Sequence, residues 1–130
     1  MLDKVEYWLN SCDEDVKVAK SMLEKKHYLW AGFLCHLVAE KALKAVVANN
    51  TSEIPRKIHK LKKIAEDGGI FGDLSEKQLE LLDELDPLQI EARYPEYKNQ
   101  IASTLTAEKT LRLYNETRDF LCWIKQRLGK

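Results

Sequence analysis

Chain breakers are scarce. Five glycines and three prolines in 130 residues leave few interruptions, and no internal repeat or low-complexity tract appears. Net charge is also missing: 21 basic and 21 acidic residues cancel, so the overall balance points to no polyanionic or polycationic partner. The cysteines Cys12, Cys35 and Cys122 are odd in number and far apart. They outline neither a disulfide framework nor a zinc framework, and are expected to be small core residues in a reducing cytoplasm. No apolar run approaches the ~20 residues of a membrane span, and Asp3, Lys4 and Glu6 stand where a signal peptide would need apolar residues. A cytoplasmic protein without membrane contact is expected.

Chemical signatures are missing as well. There is no hydrolytic triad, glycine-rich phosphate loop or dinucleotide fingerprint, and Gly68-Gly69 follows no strand pattern. A carboxylate-bridged di-iron bundle needs Glu-x-x-His on each of two helices, whereas this chain has the spacing once, from Glu24 to His27. His36 and Glu40 are spaced to share a metal from one helix face, but no Cys/His cluster completes a tetrahedral site. No metal and no cofactor are expected.

What is present is helical periodicity around one stretch. Residues 30–47, WAGFLCHLVAEKALKAVV, carry apolar or small side chains on almost every side, the mark of a helix buried all round. Its few polar residues are aligned. His36, Glu40 and Lys44 recur every fourth position, with Lys41 beside them, so they share one narrow strip. Two readings are open for that strip, an ordinary ion pair with a satisfied core histidine, or a functional site.

The rest of the chain is arranged around this helix. In residues 2–26, Val5, Leu9, Cys12, Val16, Ala19 and Leu23 recur in steps of four and three, a bundle seam that Trp8 and Met22 widen. A short turn near His27 predicts an antiparallel hairpin with the central helix. The central helix should stop near Asn49-Asn50, before Pro55. A short helix is predicted over residues 56–67, burying Ile58, Leu61, Ile64 and Ala65 and ended by Gly68-Gly69. Ser75 and Gln78 have capping-box spacing for a fourth helix, with Leu79, Leu82 and Leu85 inward until Pro87. Residues 87–99 read as an irregular segment held by Leu88, Ile90, Tyr94 and Tyr97. A last helix starts around Thr106 and runs to Arg127, with Leu111, Tyr114, Phe120, Leu121 and Ile124 as core. With no alternating strand pattern, the predicted fold is one all-α domain over residues 1–130, an up-and-down helical bundle of about five helices, four long and one short. A domain of this length buries well over half of its unfolded surface without staples.

Charge is balanced in total but segregated in order. Arg56, Lys57, His59, Lys60, Lys62 and Lys63 are followed by Asp73, Glu76, Glu80, Asp83, Glu84, Asp86 and Glu91, with only Lys77 among the latter. A basic face is the electrostatic footprint of a phosphate site. The alternative is a pair of solvated faces, paired in places with each other.

Three pieces of sequence, in order, carry a family resemblance. Residues 38–47, VAEKALKAVV, look like the signature helix of the HEPN family, the higher eukaryotes and prokaryotes nucleotide-binding domain. Ile58-His59-Lys60-Leu61 resembles its His-containing short helix start, and Ala92-Arg93-Tyr94-Pro95 resembles a segment of its small prokaryotic members. The resemblance implies a homodimeric helical protein that binds nucleotide or RNA and partners a minimal nucleotidyltransferase in a toxin-antitoxin-like module. Exposed aromatics would suit a dimer, and Trp8, Trp30, Trp123 and Tyr97 are more than a small core readily hides.

HEPN ribonucleases carry an Arg followed, after four to six intervening residues, by a His that acts with it across a dimer. Here Arg93 is followed at those distances by Lys98, Asn99 and Gln100, and only two residues separate Arg56 from His59. The motif is absent, so RNA cleavage is not expected. Candidate catalytic residues reduce to His59, Arg93 and His36, with none assigned, and enzyme activity is an open question. By resemblance and charge, phosphate contact falls to Arg93, Lys41, Lys44, Arg56, Lys60 and Lys63, with Glu40, Tyr94 and Tyr97 in support and Glu40 expected to hold Arg93. The alternatives are a metal-independent endoribonuclease toxin of the same family with a displaced histidine, and a helical interaction module without ligand.

Overall fold

The computed structural model describes residues 3–89 and 94–130. The described residues form an all-α bundle with six helices among them: α1 (Lys4–Glu24), α2 (Tyr28–Asn50), α3 (Leu61–Asp67), α4 (Glu76–Leu85), α5 (Pro95–Thr104) and α6 (Ala107–Arg127). Short 3-10 turns at Phe71–Asp73 and Asp86–Leu88 flank α4. No strand occurs among the described residues.

Helix α2 is the axis, in contact with each of the other five helices. Thirteen of its residues are buried, from Ala31 to Val47, and they lie on all sides. Its pairing with α1 is antiparallel. Lys44 lies over Trp8, Lys41 bonds Ser11 and Asp15, and Val38 O accepts from the Cys12 thiol, so the α1 partner advances as the α2 residue recedes. Val5, Leu9, Cys12 and Ala19 form the buried seam of α1, with Trp8, Val16 and Leu23 packed beside it. Burial pushes the Cys12 and Cys35 thiols up to about 12, with nearby Asp15 adding to the effect at Cys12, so both are inert. Cys122, expected in the core, is exposed because it falls between the inward residues Leu121 and Ile124 of α6.

Close approach to α2 is set by two glycines. A Cβ at Gly32 would stand 3.2 Å from Leu88 Cδ1 and Leu105 Cδ1, and one at Gly68 would stand 3.0 Å from Val46 Cγ1. Small residues there let the end of α3 and the α5–α6 corner seat against the axis. Helix α4 has the predicted capping box, Ser75 Oγ accepting from Gln78 N and Gln78 Oε1 accepting from Ser75 N. Thr106 Oγ1 accepts from Lys109 N at the start of α6.

Three expectations need correction. The segment 87–99 is not irregular throughout: Pro95 opens α5, where a missing N–H costs nothing and φ is already set. Tyr94 does not anchor it, being 80% exposed, and Ile90 lies outside the described residues. The core phase of α6 is shifted: Thr110, Leu113, Tyr114, Thr117, Phe120, Leu121 and Ile124 face inward, and Leu111 is 49% exposed. Finally, α3 begins at Leu61 rather than near residue 56, because the preceding backbone is drawn out against α2. Leu81 also joins Leu82 and Leu85 in the core, whereas Leu79 is half-buried.

The turn from α1 to α2 stores strain. Lys26 has φ of 63°, in the left-handed region, while His27 N bonds Met22 O and Lys26 N bonds Leu23 O. This is the helix stop that glycine normally serves. Replacing Lys26 by Gly should raise stability by about 0.5–1 kcal/mol, since relief of the left-handed penalty exceeds the added unfolded-state freedom. Chemical denaturation of the two proteins reads this directly.

Candidate functional site

The polar strip of α2 is buried along its length, His36, Glu40 and Lys44 being 0%, 5% and 6% exposed. Buried charges must be paired, and here the pairing extends beyond the helix. Glu40 Oε2 accepts from Lys44 Nζ at 3.1 Å, and Lys44 in turn lies over the Trp8 ring, 5.8 Å from its centroid. Glu40 Oε1 faces His59 Nδ1 at 2.9 Å. A carboxylate only accepts, so Nδ1 carries the hydrogen and the lone pair of neutral His59 sits on Nε2.

His36 holds the same segment from below. Its Nε2 lies 3.0 Å from the carbonyl oxygen of His59, which can only accept, so this nitrogen carries the hydrogen. His36 Nδ1 has no hydrogen-bond partner, Glu40 Oε1 standing 3.7 Å away. Asp86 closes the arrangement. Its Oδ1 accepts from Leu61 N at 3.1 Å and lies 3.8 Å from His36 Nε2. The stretch before Leu61 is thus extended because α2 takes its side chain and its carbonyl, and α3 starts where Asp86 caps it.

His59 emerges at the surface with 55% of its side chain exposed. With Arg56, Ile58, Lys60 and Lys63 it lines an open depression of ≈ 460 Å³. The basic run is not uniformly free. Arg56 donates from Nε and Nη2 to both oxygens of Asp67, at 2.7 and 2.8 Å. That fork raises the guanidinium pKa and holds the Asp67 carboxyl below its usual range. Lys62 pairs with Asp83 at 2.8 Å. Lys60 and Lys63 are exposed and have no ion-pair partner among the described residues.

The predicted residues therefore divide. His59, Arg56, Lys60 and Lys63 meet at one depression, with Glu40 and His36 directly beneath. Lys44 lies away from that surface, buried between Glu40 and Trp8. Lys41 faces α1 instead, paired with the Asp15 carboxylate at 2.7 Å and donating to Ser11 Oγ at 2.8 Å. Arg93 lies outside the described residues. The two carboxylate oxygens of Glu40, expected to hold it, are engaged by Lys44 and His59. Tyr94 is exposed, and Tyr97 lines a separate hollow with Leu88, Ile101 and Lys109. Asp86 was missed as a site residue. It reads in sequence as one of many acidic residues before a proline, and nothing local marks it as the cap of a helix 25 residues earlier. No group of three or more His, Cys, Asp or Glu is placed to hold a metal among the described residues.

These features define an all-α bundle whose central helix carries a buried Lys-Glu-His relay opening onto a basic depression. The chain belongs to the HEPN domain family, whose model matches residues 5–128. The fold is similar to that of the protein TT1696 from Thermus thermophilus, a crystal structure matched with a TM-score of 0.80 at 21% identity over 96% of this chain and 98% of that one. No curated protein matches the chain in sequence. Among the described residues no helix is long and apolar enough to cross a membrane.

The relay predicts an asymmetry between its members. Lys44→Met takes away the Lys44 partner of the buried Glu40 carboxylate and should cost about 3 kcal/mol of stability, whereas Glu40→Gln with Lys44→Met should cost clearly less than the sum of the two single changes. Denaturant midpoints of the three variants measure the coupling.

Proposed function

We propose that this HEPN domain protein binds nucleotide or RNA through phosphate at the depression lined by Arg56, His59, Lys60 and Lys63. The observation that carries the reading is the combination of Lys60 and Lys63, without an ion pair among the described residues, with a histidine held at the same opening. Surface lysines alone are commonplace. A half-exposed imidazole tied through Glu40 to a buried lysine has its orientation fixed, which lowers the ordering cost of binding there. Arg93, which follows the His59 segment in the family-like pattern, is assigned to the same phosphate group. Lys44 supports the site from inside the bundle through Glu40 rather than touching the ligand, and Lys41 is committed to α1.

The physiological setting we infer is a cytoplasmic two-fold dimer partnered by a minimal nucleotidyltransferase in a toxin-antitoxin-like module. Membership of the HEPN family supports this, together with the exposed Trp30 next to Phe33 on α2. A second reading, metal-independent RNA cleavage, draws on one observation, the pairing of His59 with Glu40, since a carboxylate-held imidazole is equipped for proton transfer.

Exchanging Lys60 and Lys63 together for Glu should weaken nucleotide and RNA binding at least tenfold, about 1.4 kcal/mol, and flatten its salt dependence. Stability should hardly move, because Leu61, Ile64 and Ala65 still bury α3. Titration at several salt concentrations supplies the readout. Salt-independent or unchanged binding would make the basic run a solvated face and the protein an interaction module. RNA degradation lost in His59→Ala would favour the ribonuclease reading instead.

A further inference from the structure

We propose that His59 is a proton-coupled contact selective for a terminal phosphate monoester over an internal phosphodiester, an inference that rests on the phosphate reading above. The geometry begins at Glu40. Because His59 Nδ1 donates to Glu40 Oε1 at 2.9 Å, the neutral ring turns its Nε2 lone pair away from the bundle. No described residue hydrogen bonds that nitrogen. A phosphate oxygen approaching it meets lone pair against lone pair, so close contact requires a proton on Nε2. The imidazolium then donates from Nδ1 to Glu40 and from Nε2 to the phosphate, and the one new N–H bond is made by a proton taken from solvent.

The charges around the ring favour that step when a dianion is present. From α2, Glu40 faces His59 directly, with Lys44 on its other oxygen and His36 beneath the His59 carbonyl. From the α4 end, Asp86 lies against His36 and Leu61. From its own segment come Arg56, already committed to Asp67, and Lys57, Lys60 and Lys63, which have no ion pair among the described residues. Glu40 favours a positive charge on the ring and the two lysines at the same opening oppose it, so a ligand bearing two negative charges draws the proton to Nε2 more strongly than one bearing a single charge. A terminal monoester has a second pKa near 6 and carries close to two charges at neutral pH, while an internal diester carries one. At this depression Arg56 is committed to Asp67 and the neighbouring Lys62 to Asp83, which leaves Lys60 and Lys63 as the lining cations without an ion pair among the described residues. A strand needs phosphate contacts repeated along its length, and a nucleotide end needs one cluster.

The test uses the full chain and isothermal titration at slightly alkaline pH, in buffers of differing ionisation enthalpy. The probes are a nucleoside 5′-monophosphate and the same nucleotide as its 5′-methyl diester. We expect binding of the monoester to take up close to one proton and to be about tenfold tighter than the diester, 1.4 kcal/mol. In His59→Gln, whose altered side chain is half-exposed and outside the core, binding should persist more weakly, with proton uptake and monoester preference both lost. Monoester binding without proton uptake, or uptake and preference retained in His59→Gln, overturns this inference and leaves the phosphate reading standing. Failure of both probes and of a 5′-phosphorylated RNA oligonucleotide to bind overturns the two together.

Discussion

The ion pair between Glu40 and Lys44, sealed inside the bundle under Trp8, is the constraint on which the rest of this structure depends. Removing two charges from water is expensive, and mutual attraction repays it only when the remaining hydrogen-bonding capacity is also used. Here the remaining oxygen of Glu40 is used by His59, a residue from outside the helix. The segment ahead of α3 is thereby held against α2 in extended form, with its His59 carbonyl bonded by His36 and its end capped by Asp86. One buried pair thus sets where α3 begins, which nitrogen of His59 is presented outward, and how the basic surface stands over the core.

That surface is narrower than its lysine and arginine content implies. Asp67 occupies the fork of Arg56, and Asp83 holds Lys62. The acidic region around α4 is similarly engaged, since Arg112 bridges Glu84 and Glu116 and Arg127 reaches Asp73. Pairing along the chain neutralises part of both charge runs, and among the described residues it leaves Lys57, Lys60 and Lys63 of the basic run without an ion pair. Sequence-independent attraction of long polyanions is weak on such a surface, and local recognition of one phosphate group is what it offers.

Much of this was legible before the fold. The all-round apolar character of residues 30–47 marks the axis because burial on every face has no other common cause, and the four-residue recurrence of His36, Glu40 and Lys44 puts them on one strip regardless of context. The capping box at Ser75 and the cap at Thr106 are local signals and were readable for that reason. What escaped depended on distant groups. The helix starting at Pro95 was hidden by treating proline only as a breaker, and Leu111 was placed inward because Thr110 and Thr117, which fill that face, look polar. The partner of His59 could not be read from spacing, because Glu40 lies 19 positions away and is reached only once Pro55 and the extended stretch fold back. Burial of Lys44 follows from Trp8, a contact between two helices.

The central claim is that α2 fixes the tautomers of two histidines in opposite senses. Long-range nitrogen–proton correlation spectra of the imidazole rings test it directly, and with His27, His36 and His59 as the three histidines, assignment is simple. The account predicts His36 protonated on Nε2 and His59 protonated on Nδ1 in the neutral forms, with His27 behaving as a solvent-exposed ring. Finding His59 as the Nε2-protonated tautomer common to free histidine, unchanged by Glu40→Gln, would contradict it.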